Sequence, residues 1–320
     1  MSSTAQSRAR RRREAHALAQ CQGGVLSHRQ LYAAGWSRWQ VDAEVAAGRW
    51  ARHVRGVVAT HTGPLSREAL WWTAVLGVGR TVALAGVSAL QASGLTGIRA
   101  EVIDVVVPSS SHPRRVPGVR ARETTLLRED DVAAVGIPRV RPAVAVVQAA
   151  TWARSDRQAA LMVVAPVQQR IVQAAEIADV LARSRRQPRR ALLRSVVADV
   201  ADGAHALGEL DFARLCRRRG LPEPTRQRMV ITAGGRRYLD VEWEEWALAA
   251  EIDGVAHMQV ATWLDDSWRQ NEVVIDGRRV LRFPVLALRL DPGRAMDQAE
   301  EALRRCGWRP GLQRRRPLAG

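Results

Sequence analysis

Two serine–glycine brackets near the N-terminus constrain this chain more than any other feature. In "GGVLSHRQLYAAGWSRWQVDAEVAAGRWARHVRGVVAT", residues 23–60, Ser27 opens a segment that stops at Gly35, and Ser37 opens a second that stops at Gly48. A serine hydroxyl accepts a hydrogen bond from the free amides of a first helical turn, and glycine takes the left-handed conformation that ends a helix. The spacing predicts one helix from Ser27 through Ala34 and another from Ser37 to Ala47. Two short helices joined by a tight glycine turn make a helix-turn-helix. The following "RWARHVRGVVAT" alternates towards a β-hairpin, which would be a wing. On that reading Arg38, Trp39, Gln40 and Asp42 lie early on the second helix, where side chains meet base edges, and Arg49, Arg52 and Arg55 reach phosphates. Helix packing that serves no nucleic acid is the alternative.

Charge points the same way. The net charge is +17, and all 49 basic residues are arginine. Arginine meets phosphate with a planar, two-pronged donor set that lysine lacks, so DNA is the expected partner. No amphipathic basic helix suggests a membrane surface, and no apolar run approaches the length of a membrane span. The N-terminus lacks the apolar core of a secretory signal, so the expected location is the cytoplasm. Cys21, Cys216 and Cys306 are odd in number and far apart, which fits neither a disulfide framework nor a zinc site; they read as small buried thiols. A length of 320 residues calls for more than one domain.

The expected fold class is multidomain α+β. Residues 1–20, with "RARRRR" at 8–13, read as a basic disordered arm, 21–62 as the winged helix, and 63–205 as a mainly helical middle region of spacer or partner-binding character. That middle region includes one evident strand, "VIDVVVP", and no catalytic constellation. Residues 206–308 change texture to a helix, several strands forming a small mixed sheet and a closing helix, and 309–320 form a basic tail.

Within that last region, "YLDVEWEEWALAAEIDG" gathers six carboxylates in a basic chain. With Glu244 and Glu245 as a two-residue turn, Trp243 faces Trp246, Val241 faces Leu248 and Leu239 faces Ala250. Strand parity then puts Leu239, Val241, Trp243, Trp246, Leu248, Ala250 and Ile252 on one face and Asp240, Glu242, Glu251 and Asp253 on the other. Asp240 lies opposite Ala249 and diagonal to Glu251, with Cβ atoms about 7–8 Å apart or less, close enough to share a divalent cation. A charged solvent face explains the alternation equally well. Against it stands the repulsion among carboxylates gathered on one face, which a cation would relieve.

Two resemblances follow from these residues. Residues 23–59, with the "GRW" step and the "RGVV" strand, resemble the N-terminal winged helix of the AbiEi family of type IV antitoxins, although Val58 stands where that strand usually carries tyrosine. The run Asp240, Glu251-x-Asp253-Gly254, His257, Asp266-x-x-Arg269 and "RVLRF" at 279–283, with Glu209 on a preceding helix, is similar to Vsr-like domains of the PD-(D/E)xK restriction-endonuclease-like fold. That resemblance implies an α/β sandwich in which Asp240 and Glu251 hold Mg²⁺ or Mn²⁺, Asp253 and His257 orient water, Glu209 supplies the acidic residue of the first helix, and Arg269 and Arg282 grip phosphate. The implied activity is metal-dependent cleavage of DNA. The motif lysine is missing, since position 253 is Asp and the chain has no lysine. The alternative is therefore a non-enzymatic antitoxin or transcriptional regulator with a cognate toxin as partner.

Overall fold

The computed structural model describes residues 3–124, 129–184, 187–201, 205–232, 235–253 and 280–310. It is mixed α+β and divides into two compact units, residues 1–152 and 153–320.

The first unit opens with helix α1 (Ser3–Gln20), followed by β1 (Val25–Ser27), α2 (His28–Ala33), α3 (Arg38–Ala46), β2 (Ala51–Val54) and β3 (Val57–Ala59). The three strands form an antiparallel sheet in the order β1-β3-β2. Both serine brackets act as expected. Ser27 and Ser37 cap α2 and α3, each in a reciprocal pair with the glutamine three residues on, and Gly35 and Gly48 follow the helices with φ of 78° and 65°. Ala15, Ala19, Leu26, Leu31, Trp36, Val41, Trp50 and Val58 bury themselves in one cluster, with the Trp36 and Trp50 rings 4.9 Å apart.

Two members of that cluster, Ala15 and Ala19, correct an expectation. Residues 1–20 were expected as a disordered arm, yet α1 is a helix whose alanine face packs on this core. Its charge is anchored too. The carboxylate of Glu44 on α3, only 3% exposed, accepts hydrogen bonds from both Arg12 on α1 and Arg49.

The rest of the unit holds α4 (Arg67–Val78), β4 (Ala83–Leu84), α5 (Gly86–Ala92), β5 (Ile103–Pro108), β6 (Val119–Thr124) and α6 (Pro142–Thr151). Strand β5 pairs antiparallel with β4 and parallel with β6. Helix α4 packs closely on both sheets: a Cβ added at Gly77 would meet Val54 at 3.1 Å and Val116 at 3.2 Å. Residues 63–205 are thus not one helical domain. The part up to Trp152 shares a unit with the N-terminal sheet and contributes a second sheet, and the helices beyond it belong to the other unit. Strand β6, "VRARET", escapes sequence reading because its residues are polar and mostly half or fully exposed.

In the second unit α7 (Asp156–Gln168), α8 (Ala174–Arg183) and α9 (Arg190–Ala201) pack together. They precede α10 (His205–Arg219), β7 (Thr225–Thr232), β8 (Gly235–Trp243), β9 (Leu248–Asp253), β10 (Val280–Pro284), α11 (Val285–Leu290) and α12 (Pro292–Arg305). The four strands form a mixed sheet, β10-β9-β8-β7, antiparallel except for the β9–β10 pair. Phe212 of α10 packs against Trp243 and Phe283, with ring centroids 5.8 and 5.3 Å away, so the helix seals the apolar face of the sheet. Buried Asp199 of α9 accepts two hydrogen bonds from Arg289 of α11, at 3.1 and 3.2 Å.

Parity on β8 and β9 holds and register does not. Val241, Trp243, Leu248, Ala250 and Ile252 are buried as expected. The pairing slips by two residues, to Val241 with Ala250 and Trp243 with Leu248. Residues 244–246 form a 3₁₀ turn closed by Ala247 in the left-handed region, φ 48°, so Trp246 leaves the strand. Of the cysteines only Cys216 is buried, where desolvation pushes its thiol up to about 12; Cys21 is exposed and Cys306 lies between.

Candidate nucleic-acid interface

A groove of about 1130 Å³ runs along the first unit. Its lining includes His28, Arg29 and Tyr32 from α2, Arg38 and Asp42 from α3, and residues 52–56 of the β2–β3 hairpin. The end of α4, the segment 79–82 and the loop at 111–114 complete it. Six arginines line it, Arg29, Arg38, Arg52, Arg55, Arg80 and Arg114, against a single described carboxylate, Asp42. The local fold explains their convergence. Capping by Ser37 starts α3 at Arg38, so Arg38 and Trp39 project from its first turn and stay 86% and 82% exposed. The hairpin turn at Arg55 and Gly56 carries Arg52 and Arg55 on its exposed flank.

The electrostatics of the groove depend on Asp42. Its carboxylate accepts a hydrogen bond from Arg52 and lies 3.9 Å from Nε of Arg38, so one acid partly neutralises two of the cations. Between them, burial lowers the pKa of His28, and Arg52 and Arg38 push the same way against Asp42. A neutral ring fits its surroundings. Nδ1 of His28 lies 3.4 Å from the Tyr32 hydroxyl, and its buried Nε2 has no hydrogen-bond partner.

Not every residue expected at the interface is available. Gln40 commits its side-chain oxygen to the Ser37 amide at 2.9 Å and acts as a capping residue. Arg49 is tied to Glu44. The carboxyl of Glu44 feels burial most strongly, which raises its pKa, but hydrogen bonds from Arg49 and Arg12 outweigh this and hold it below the ordinary range. Sequence reasoning missed His28, Arg29, Arg80 and Arg114 in the groove. The "SHPRRVPG" loop that supplies Arg114 was visible only as a turn.

On the second unit the structure places Asp240 on β8, Glu251 and Asp253 on β9, and Glu209 on α10. Asp240 and Glu251 each stand one residue beyond the paired positions Val241 and Ala250. Glu251 is matched across the sheet to Arg282 of β10, and Nε of Arg282 contacts its carboxylate at 2.9 Å. Arg282, expected to grip phosphate, here neutralises an expected metal ligand. His257 and Arg269 lie outside the described residues, as does Asp266. Carboxylate oxygens are the hard donors that Mg²⁺ prefers, so Asp240, Glu251 and Asp253 suit that ion in donor chemistry. Among the described residues no group of three or more acidic, His or Cys side chains is close enough to hold a metal.

No family model and no curated protein matches the chain. Among solved structures, the chain is similar to the crystal structure of the RV2827C protein from Mycobacterium tuberculosis, at 17% identity and a TM-score of 0.35 over 59% of this chain and 75% of that one. Among the described residues, no helix is long and apolar enough to cross a membrane.

Proposed function

We propose that this protein binds DNA through a winged helix in its first unit. The observation that carries this reading is the groove's unbalanced charge, six arginines to one carboxylate, beside a first turn of α3 that exposes Arg38 and Trp39. The order helix, strand, two short helices and hairpin supports a winged helix, with α3 as the helix presented to the major groove. Exposed tryptophan is costly to leave in water and supplies an apolar face for a base edge or a thymine methyl. Arg38 and Arg52 act on phosphates once Asp42 yields them. Fluorescence anisotropy with a labelled duplex tests this. Arg38→Ala and Arg52→Ala are each expected to weaken binding and to lower the salt slope by about one. Unchanged affinity and slope in both variants would refute the assignment.

For the second unit we propose a restriction-endonuclease-like domain acting on DNA. Support comes from the helix–strand–strand–strand order with a later strand parallel to the third, and from Asp240 and Glu251 at neighbouring positions of adjacent strands. Asp240, Glu251 and Asp253 would hold Mg²⁺ or Mn²⁺, which supplies charge neutralisation and an activated water. Arg282 sets the resting charge of the Glu251 carboxylate. A cleavage assay with Mg²⁺ or Mn²⁺ on supercoiled, mismatched and single-stranded DNA, with Asp240→Ala and Glu251→Ala as controls, decides between this reading and a non-enzymatic antitoxin or regulator with a toxin partner. Cleavage abolished by both substitutions supports the enzyme. Equal cleavage by the variants, or none by the parent, supports the regulator.

A further inference from the structure

We infer that the nucleic-acid interface extends beyond the helix and hairpin: Arg80 and Arg114, from the segments flanking the second sheet, continue its cationic lining and bind phosphates of one phosphodiester strand. The inference rests on the DNA-binding reading and assigns a role to a region that its sequence presents as a spacer.

The groove is the wrong kind of cavity for a small molecule. Small-molecule sites span about 300–1,000 Å³ and are predominantly apolar, with few polar groups. This one, at about 1130 Å³, is lined by six arginines and one carboxylate. A polyanion that meets several cations at once fits such a lining.

The loop that carries Arg114 is fixed in place. The amide of Arg114 donates to the Val78 carbonyl at 2.9 Å, pinning the loop to the end of α4. Two residues on, Val116 packs against Gly77 of the same helix. The far end of Arg114 lies at the hairpin, because a Cβ built on Gly56 would come within 3.5 Å of its Nη1. Arg114 therefore reaches the hairpin turn that carries Arg55, the neighbour of Gly56, and both line the groove.

Charge compensation supplies the second argument. Arg12, Arg49, Arg52, Arg219 and Arg289 all hold carboxylates. Arg55, Arg80 and Arg114 are exposed, line one groove and have no carboxylate partner among the described residues. Like charges held close by a rigid frame repel each other, and a bound polyanion relieves that repulsion while releasing its own counterions.

The test uses the full-length protein with the double variant Arg80→Ala/Arg114→Ala, a labelled 20-base-pair duplex and a single strand of equal length, titrated over a salt series. Each phosphate contact contributes about 0.9 to the logarithmic salt slope on a duplex and about 0.7 on a single strand. The variant is expected to lose about 1.8 of slope on the duplex if the groove takes one strand of a helix, or about 1.4 on the single strand if it takes an unpaired one. Arg80→Lys/Arg114→Lys keeps both charges and is expected to restore the slope. Circular dichroism and the melting temperature are expected to stay at parental values, because both side chains are exposed. A parental slope in the Ala variant on both probes, while Arg38→Ala and Arg52→Ala still weaken binding, overturns this inference and leaves the DNA-binding reading standing. Failure of the parent protein to bind either probe at low salt overturns both.

Discussion

Glu44→Gln tests whether α1 belongs to the fold. The Glu44 side chain is 3% exposed, and its two oxygens serve Arg12 from α1 and Arg49 from the segment leading into the hairpin. Glutamine keeps the volume and one acceptor oxygen but removes the charge, so three arginine-to-carboxylate bonds give way to bonds on a single neutral acceptor. Breaking a fully buried ion pair costs about 3–5 kcal/mol. Here the guanidiniums are 44% and 51% exposed and regain water when released, so the cost falls to about 2 kcal/mol. For a unit of 152 residues that lowers the melting temperature by roughly 4–8 °C. The pH dependence has a definite sign. The folded pKa of Glu44 is depressed below 4.5, so its contribution is complete above that value and drains away as pH falls through the lower folded one. The gap between parent and variant is thus expected to be constant from neutral pH to about 5 and to close only in stronger acid. Calorimetry measures the shift, and trypsin reports on α1 directly, since its arginines are protected only while the helix is docked. The exposed pair Arg10–Glu14, at 3.6 Å, supplies the control: Glu14→Gln is expected to change almost nothing. A melting shift below 1 °C for Glu44→Gln, with no faster cleavage in α1, would show that the salt bridges do not dock the helix.

Other substitutions probe the remaining features. Asp42→Asn removes the one described carboxylate of the groove and frees Arg38 and Arg52. A repulsion of about 1 kcal/mol between Asp42 and a phosphate some 4 Å away predicts duplex binding about fivefold tighter at low salt, with the gain fading as salt rises. Weaker binding would mean that Asp42 orients the arginines instead. In the second unit, Arg289→Ala removes two charge-assisted hydrogen bonds from the fully buried carboxylate of Asp199 and is expected to cost about 2–3 kcal/mol, read as a loss of denaturant midpoint. Asp199→Asn is expected to cost less, because Arg289 is 24% exposed and partly rehydrates. Equal losses in the two variants would refute that asymmetry.

The parts of the fold legible in the sequence are those decided by local chemistry. Ser27, Ser37, Gly35 and Gly48 placed both short helices because a cap and a stop act over three or four residues. Parity on β8 and β9 was legible for the same reason, since side chains alternate whatever the partner strand does. Register was not, because it depends on the turn, and Ala247 takes a left-handed conformation that no glycine or asparagine signals. Helix α1 was illegible because what orders it is remote: Glu44 lies 32 residues from Arg12.

The groove shows why its lining was only half readable. A chain with 49 arginines and 32 acidic residues cannot pair every cation one to one, so the composition guarantees a surplus of 17 and says nothing of where it lies. The motif picked out the arginines of one short segment, Arg38 to Arg55. Selecting Arg80 and Arg114 requires knowing that α4 brings the end of a different sheet against the hairpin, through contacts at Gly77 that span 23 residues on one side and 39 on the other. What distinguishes Arg80 and Arg114 from their many equivalents is that they line one groove with the arginines of α3 and the hairpin, and only the tertiary structure sets that.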